Sequence, residues 1–311
     1  MRRGLSLVEL LVSLVIALLL LSAIYLGYVS LFKTSSQETI SATSQIEKLL
    51  GLEILRLDVE HAGYGIAYEL SNGSEGDFPI EWNGTTLTIR SIYNVSNEET
   101  NSWGIYDCSN RNFIVKEGNF KNSTTVVALE PISDYTVFFN SGRLSSICNG
   151  TEKKYLVFSY DSSSSGSCKQ PVCNEIKYYL YSSSSVPNYC ITNTVLGRKV
   201  NAGNPNPLIY CVADFKVRFD WDTNGNGIID SGEENQDINI PPSSSTKVYS
   251  VRKQLKLVRI YLLVQEGKYD PRYNFSANTT IDGVILNPPS NPKARHCRWK
   301  IIKMVVKPMN L

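Results

Sequence analysis

Asp222-Thr-Asn224-Gly-Asn226-Gly227-Ile228-Ile-Asp230-Ser-Gly-Glu233 places oxygen donors at positions 1, 3, 5, 9 and 12 of a twelve-residue stretch, with glycine at position 6 and an apolar residue at position 8. That spacing suits a calcium ion. Asp222, Asn224 and Asn226 offer side-chain oxygens, Ile228 its carbonyl, Asp230 a direct or water-mediated contact, and Glu233 both carboxylate oxygens. Three carboxylates in one turn repel one another, and a divalent cation removes that repulsion while ordering the turn. The same residues also build an Asn-Gly-rich hairpin turn that binds nothing, but the seven matching positions favour the ion. A second chemical oddity is Glu9, the only charge between Leu5 and Phe32. A carboxylate inside a bilayer costs about 3 kcal/mol, so it stands there as a functional residue.

The elements that must position these groups differ sharply along the chain. Leu5–Phe32 is apolar enough for a membrane helix, and at about 1.5 Å per residue it would be roughly 42 Å long, more than the hydrocarbon core needs. Arg2 and Arg3 hold the N-terminus in the cytoplasm, which puts everything after Lys33 outside. No proline falls between Thr34 and His61, and Ile46, Leu49, Leu50, Ile54 and Leu57 recur at helical spacing, predicting that the helix continues and packs this stripe on its own sheet. Gly63 then offers a left-handed stop, with Tyr64 placed to fold back over the last turn. Beyond Gly65, short alternating runs between turn residues predict antiparallel strands near Thr85–Tyr93, Thr125–Leu129, Thr136–Phe139, Tyr155–Tyr160, Ile176–Tyr181, Leu208–Trp221, Leu255–Val264 and Ile301–Lys307. Both faces of Leu255–Val264 are partly apolar, so that strand is central; serine runs at Ser162–Ser165, Ser182–Ser185 and Ser243–Ser245 are loops. Because Asp214–Trp221 alternates as a strand, the Asp222–Glu233 loop is EF-hand-like but set in a β framework.

The N-terminus lacks the small-residue cleavage pattern that follows the core of a secretory signal, and its small residue, Gly4, precedes the apolar run. Met1-Arg-Arg-Gly4-Leu5-Ser-Leu-Val-Glu9-Leu-Leu-Val resembles the leader of type IV prepilins. The resemblance implies a cut between Gly4 and Leu5 by a prepilin peptidase, methylation of the new N-terminus, and a Glu9 that is fifth in the mature chain. Leu5 stands where the family usually has phenylalanine. Arg56-Leu-Asp58-Val-Glu60-His61-Ala62-Gly63-Tyr64-Gly65 and the late Leu257-Val-Arg259-Ile-Tyr-Leu-Leu-Val264 resemble segments of PilW-type minor pilins, with Glu60 where arginine is usual. This resemblance touches both ends and skips roughly Leu70–Val200; it also supports the location of the Asp/Asn/Gly-rich turn.

Composition narrows the remaining classes. Lys plus Arg (31) barely exceed Asp plus Glu (29), so there is no basic footprint for nucleic acid. Seven cysteines with no CxxC pair and only two histidines argue against zinc, whereas export permits disulfides among Cys108, Cys148, Cys168, Cys173, Cys190 and Cys211; connectivity stays open, although the nearness of Cys168 to Cys173 suggests a small looped bridge. Asp107 beside Cys108 and His296 beside Cys297 have no triad context, Asp58 and His61 suit structural roles, and no G-x-S-x-G, P-loop or HExxH pattern occurs, so no enzyme is expected. The expected architecture is α+β: a leader over residues 1–4, a transmembrane and assembly helix over 5–32, its amphipathic continuation over 33–62, and a β-rich domain outside the cytoplasm over 63–311. The resemblance implies a minor pilin held in the inner membrane before assembly and in an extracellular pilus after it. Its partners there would be other minor and major pilins and, at the tip, an adhesin. A type II secretion pseudopilin and an uncleaved calcium-binding surface adhesin are the alternatives, the last disfavoured by the pairing of Gly4 with Glu9.

Overall fold

The computed structural model describes residues 7–95, 97–121, 123–148, 152–161 and 166–311. The expected cut at Gly4 and Leu5 and the loop at Ser162–Ser165 lie outside the described residues. One helix, α1, runs unbroken over Leu7–Glu60 and leads into a mostly antiparallel β domain, an α+β architecture. Its strands are β1 (Ile80–Trp82), β2 (Leu87–Ser91), β3 (Trp103–Asp107), β4 (Asn112–Glu117), β5 (Thr125–Ile132), β6 (Tyr135–Arg143), β7 (Lys154–Ser159), β8 (Asn174–Ser182), β9 (Thr194–Val200), β10 (Asn206–Ile209) and β11 (Val212–Trp221). A short helix α2 (Val248–Gln254) then precedes β12 (Leu255–Glu266), β13 (Thr280–Ile281), β14 (Val284–Ile285) and β15 (Arg298–Val306).

The strands form two five-stranded sheets, β1-β2-β8-β9-β10 and β4-β3-β7-β5-β6, a three-stranded sheet β11-β12-β15, and the β13-β14 hairpin. The main core lies between the first sheet, the three-stranded sheet and the end of α1, joining Leu55, Val59, Ile89, Tyr178, Phe219 and Val258. Alternation explains the other cores. Val127 and Leu129 of β5 face one cluster, while Val126 and Ala128 face another on the far side of the same sheet. In β12, Val258, Ile260 and Leu262 enter the main core and Tyr261 and Leu263 an outer one. That strand is therefore buried on both faces and central, as its sequence predicts.

The helix packs on the domain through a different stripe from the one expected. Lys48, Gly51, Leu55, Asp58, Val59 and Ala62 are buried, whereas Ile46, Leu49 and Leu50 are 60%, 66% and 63% exposed. Gly51 decides the choice. A Cβ there would lie 2.8 Å from both the Leu208 carbonyl oxygen and Ile209 Cγ1, so α1 meets β10 along the one face whose backbone is bare. Close approach offsets the roughly 1 kcal/mol that glycine costs inside a helix. Each fully buried Leu or Val on this face adds about 1.5–3 kcal/mol.

Two further departures have local causes. The single strand expected over Leu208–Trp221 is broken between β10 and β11, where Cys211 takes φ +57° and is bridged to Cys190. Strands β1, β3, β4, β9, β13 and β14 and helix α2 have no counterpart among the expected elements. In β9, Gly197 interrupts the apolar alternation because the Tyr181 ring occupies the space a side chain would need.

Candidate assembly helix and ion loop

In α1, Leu7–Phe32 is long and apolar enough to cross a membrane, with mean hydropathy 2.8 and none of that stretch buried. Among the described residues nothing covers those side chains, a surface suited to lipid or to other helices. Glu9 lies in the first turn of α1, among Leu7, Val8, Leu10 and Leu11, all more than half exposed. At about 1.5 Å per residue it is roughly 70 Å from Leu55, the start of the packed core, so its chemistry cannot concern the fold of the β domain.

The other end of α1 is fixed by charge as well as by packing. Asp58, 1% exposed, accepts hydrogen bonds from the Tyr178 hydroxyl and from Arg198 Nε (2.7 Å) and NH2 (3.2 Å). Arg198 stays firmly cationic: burial opposes its charge, but the hydrogen bonds and field of Asp58 prevail. Burial and the neighbouring Asp58 hold the Tyr178 hydroxyl protonated as a donor. The Lys48 ammonium donates to the Gln265 carbonyl (2.6 Å), and burial pulls its pKa down. Gly63 takes φ +80° and stops the helix, while the Met309 N–H donates to the Glu60 carbonyl (2.8 Å), satisfying one of the orphan groups at the helix end. His61 stacks on Tyr93 with ring centroids 3.9 Å apart and meets Leu57 O through Nδ1 (2.9 Å), a structural use of the ring. Arg198 lies 140 residues from Asp58, and no local pattern identifies it as the partner.

The turn at Asp222–Glu233 hangs between strand-like flanks. Trp221 N–H donates to Glu233 O, and Phe219 pairs with Gln236. Asp222 accepts from the N–H groups of Gly225 (2.6 Å), Asn226 (3.2 Å) and Gly227 (2.7 Å), and its carboxylate lies 3.6 Å from Lys256 Nζ. Gly225 and Gly227 have φ +72° and +88°, which lets the backbone curl around that buried carboxylate. Asp230 accepts from the amides of Asn224 and Asn226, each at 2.9 Å. Glu233 accepts from Asp230 N–H (3.0 Å), from Thr223 N–H (2.8 Å) and from the Thr223 hydroxyl. These bonds, Asp230 N–H and the Thr223 hydroxyl foremost, hold its carboxyl below the usual range. Ile228 is 65% exposed. The loop thus closes through hydrogen bonds, and among the described residues no three His, Cys, Asp or Glu side chains form a ready metal cage.

Disulfides join Cys108 to Cys148, Cys168 to Cys173 and Cys190 to Cys211, with Cα atoms 5.2, 6.3 and 5.2 Å apart. Cys297 remains a buried thiol, its pKa raised by desolvation. Two bridges secure irregular stretches: Cys108–Cys148 belongs to the outer core of the second sheet, and Cys190–Cys211 pins the break between β10 and β11.

Comparison with known proteins bears on the N-terminus. Residues 1–25 match the family model of the prokaryotic N-terminal methylation motif. No curated protein and no solved structure matches the chain. A methylation motif running into an unburied apolar helix that carries a carboxylate in its first turn supports membrane anchoring and a type IV pilin-like protein.

Proposed function

We propose that this chain is a PilW-like minor pilin, a non-catalytic subunit that primes or caps a type IV pilus and sits at its tip. The observation that carries the reading is the exposed apolar surface of α1. It does not stop at Phe32 but resumes at Ile46, Leu49 and Leu50, turned away from the chain's own β domain. Such a face needs helical partners, and other pilins presenting the same kind of helix supply them. The large, irregular β domain suits a tip position beneath an adhesin better than a repeated shaft, where bulk restricts lateral packing. Processing by the prepilin peptidase tests the assignment. Edman or mass-spectrometric sequencing of the exported chain should give N-methylated Leu5, and Gly4→Val should leave the precursor uncut. An exported chain that keeps Met1 in peptidase-competent cells would remove the pilin reading.

Calcium at the Asp222–Glu233 turn belongs to the same proposal. The donor set fits: it is all oxygen and includes three carboxylates, and its buried first carboxylate already faces a cation in Lys256. Asp222, Asn224, Asn226, Asp230 and Glu233 would hold the ion by side chain and Ile228 by its carbonyl, giving a structural ion that orders the turn. A bound calcium ion would compete with the Lys256 ammonium for Asp222 and with the Asn224 and Asn226 amides for Asp230. At 100 times its Kd an ion adds about 2.7 kcal/mol to stability. The full chain should therefore melt higher in calcium than in chelator, and Glu233→Ala should erase the difference. Identical melting in both solutions would reduce the loop to a turn and leave the pilin assignment standing.

A further inference from the structure

A trough runs beside α2, at the end of the molecule where the C-terminal segment clamps α1. Two cavities of about 570 and 540 Å³ share Tyr68, Asp134 and Tyr249, a size suited to a small ligand of one to a few rings. The second cavity is lined by Arg252, Lys253, Lys256 and Lys307 against the Asp134 carboxylate, with Leu311 also on its wall. Lys256 is engaged with Asp222 and with the Lys253 carbonyl. Among the described residues none of Arg252, Lys253 and Lys307 forms an ion pair.

Arg252 is the unusual member. It is 5% exposed; NH1 and NH2 donate to the Asn310 and Ile66 carbonyls (3.0 and 2.8 Å), and Nε has no partner. Among the described residues no carboxylate lies within ion-pair distance of it, so only the more distant field of Asp77 and the Tyr68 hydroxyl oppose the cost of its desolvation. Desolvation brings its pKa down to about 10, so it is still charged at neutral pH. Its guanidinium lies over the Tyr68 ring at 4.4 Å, and Lys253 lies over Tyr249 at 5.8 Å. Tyr249 is 41% exposed, and the two rings stand 6.1 Å apart at 48°, a pair of tilted plates edged with hydroxyls. The adjoining cavity is lined by Glu69, Glu75, Ser133, Ser250 and Lys247, donors and acceptors at hydroxyl scale.

We propose that this trough binds a carboxylated saccharide, with its acid group between Lys253 and Lys307 in the field of Arg252 and a pyranose face against Tyr249. The tyrosine plates take the C–H face of a sugar ring, the lysines neutralise its carboxylate, and the polar cavity beside them receives the hydroxyls of the next residue. An anion adds close opposite charge to a guanidinium that has only the distant field of Asp77. The inference goes beyond filament assembly and does not depend on it.

Calorimetric titration of the full chain in detergent micelles with trigalacturonate and with sialyllactose tests it. At least one should bind saturably, and its methyl ester should bind about tenfold more weakly, the loss expected for a charge-assisted contact. Lys253→Gln with Lys307→Gln should weaken the acid by about tenfold or more without moving the melting point, since both side chains are exposed. Tyr249→Ala should weaken acid and ester alike. The proposal is overturned by no saturable binding of either acid, by binding indifferent to these substitutions, or by equal binding of dextran sulfate that Tyr249→Ala does not change.

Discussion

Glu9→Ala should yield a chain that inserts in the membrane, folds its β domain normally, and is missing from filaments. The substitution removes a group whose presence in a bilayer costs about 3 kcal/mol, so insertion improves if anything. It also lies roughly 70 Å from the first packed core residue, so melting of the β domain should not change. In the proposed filament, what it removes is the counter-charge for an α-amine. The proposed cut after Gly4 would leave an ammonium at Leu5, and in a medium of low dielectric a carboxylate on an adjacent helix would be its natural partner. Desolvation consumes much of the Coulombic gain, so the pair contributes register more than raw affinity. On the proposed reading, each helix would seat where amine and carboxylate meet. Immunoblots of sheared pili against membrane fractions read the result directly: the variant should accumulate in the membrane and fall to background in the pili. Glu9→Asp, with the charge retained on a shorter stem, should be intermediate. Normal incorporation of Glu9→Ala would show that the carboxylate is no registration device.

The parts of the molecule that depend on near neighbours in sequence were legible from it. A run of apolar residues with one carboxylate identifies a membrane helix whatever follows, and Gly63 stops α1 because only a left-handed residue fits its φ of +80°. Strand β12 announced its central place by having two apolar faces. What sequence could not reveal depended on distant partners. Ile46, Leu49 and Leu50 form as regular a stripe as the buried one, and periodicity cannot say which of two apolar faces meets the domain. Gly51 settles it, through a contact with Leu208 and Ile209 more than 150 residues away. Strand β4 carries no alternation to read, because it is an edge strand exposed on both faces. The trough beside α2 was equally hidden: Tyr68, Asp134, Arg252 and Lys307 come from four separate parts of the chain and share no motif. The Asp222–Glu233 turn is the intermediate case, since its donor order is local while its lysine neighbour comes from β12.

Asp58→Ala should be the most damaging single change in the β domain's attachment to its helix. The carboxylate accepts from Arg198 and from Tyr178; with it gone the Tyr178 hydroxyl loses its acceptor and the guanidinium keeps only the Tyr178 oxygen, at 3.2 Å from Nε. Breaking a buried pair from one side costs about 3–5 kcal/mol, far more than an exposed pair such as Arg56–Glu53 contributes. For a domain of this size that corresponds to a fall of roughly 6–20 °C in melting temperature. Asp58→Asn keeps an acceptor for one donor and should lose less. Replacing both partners, Asp58→Leu with Arg198→Met, should recover much of the loss, because no charge is then left stranded. Thermal denaturation of the three variants in detergent, followed by near-ultraviolet circular dichroism, separates these cases. Equal melting of Asp58→Ala and the unsubstituted chain would mean that apolar packing around Leu55 and Val59 holds α1 on the sheet unaided. A double variant no more stable than Asp58→Ala would mean that the geometry of the pair, rather than its charge balance, sets the angle at which the helix leaves the domain.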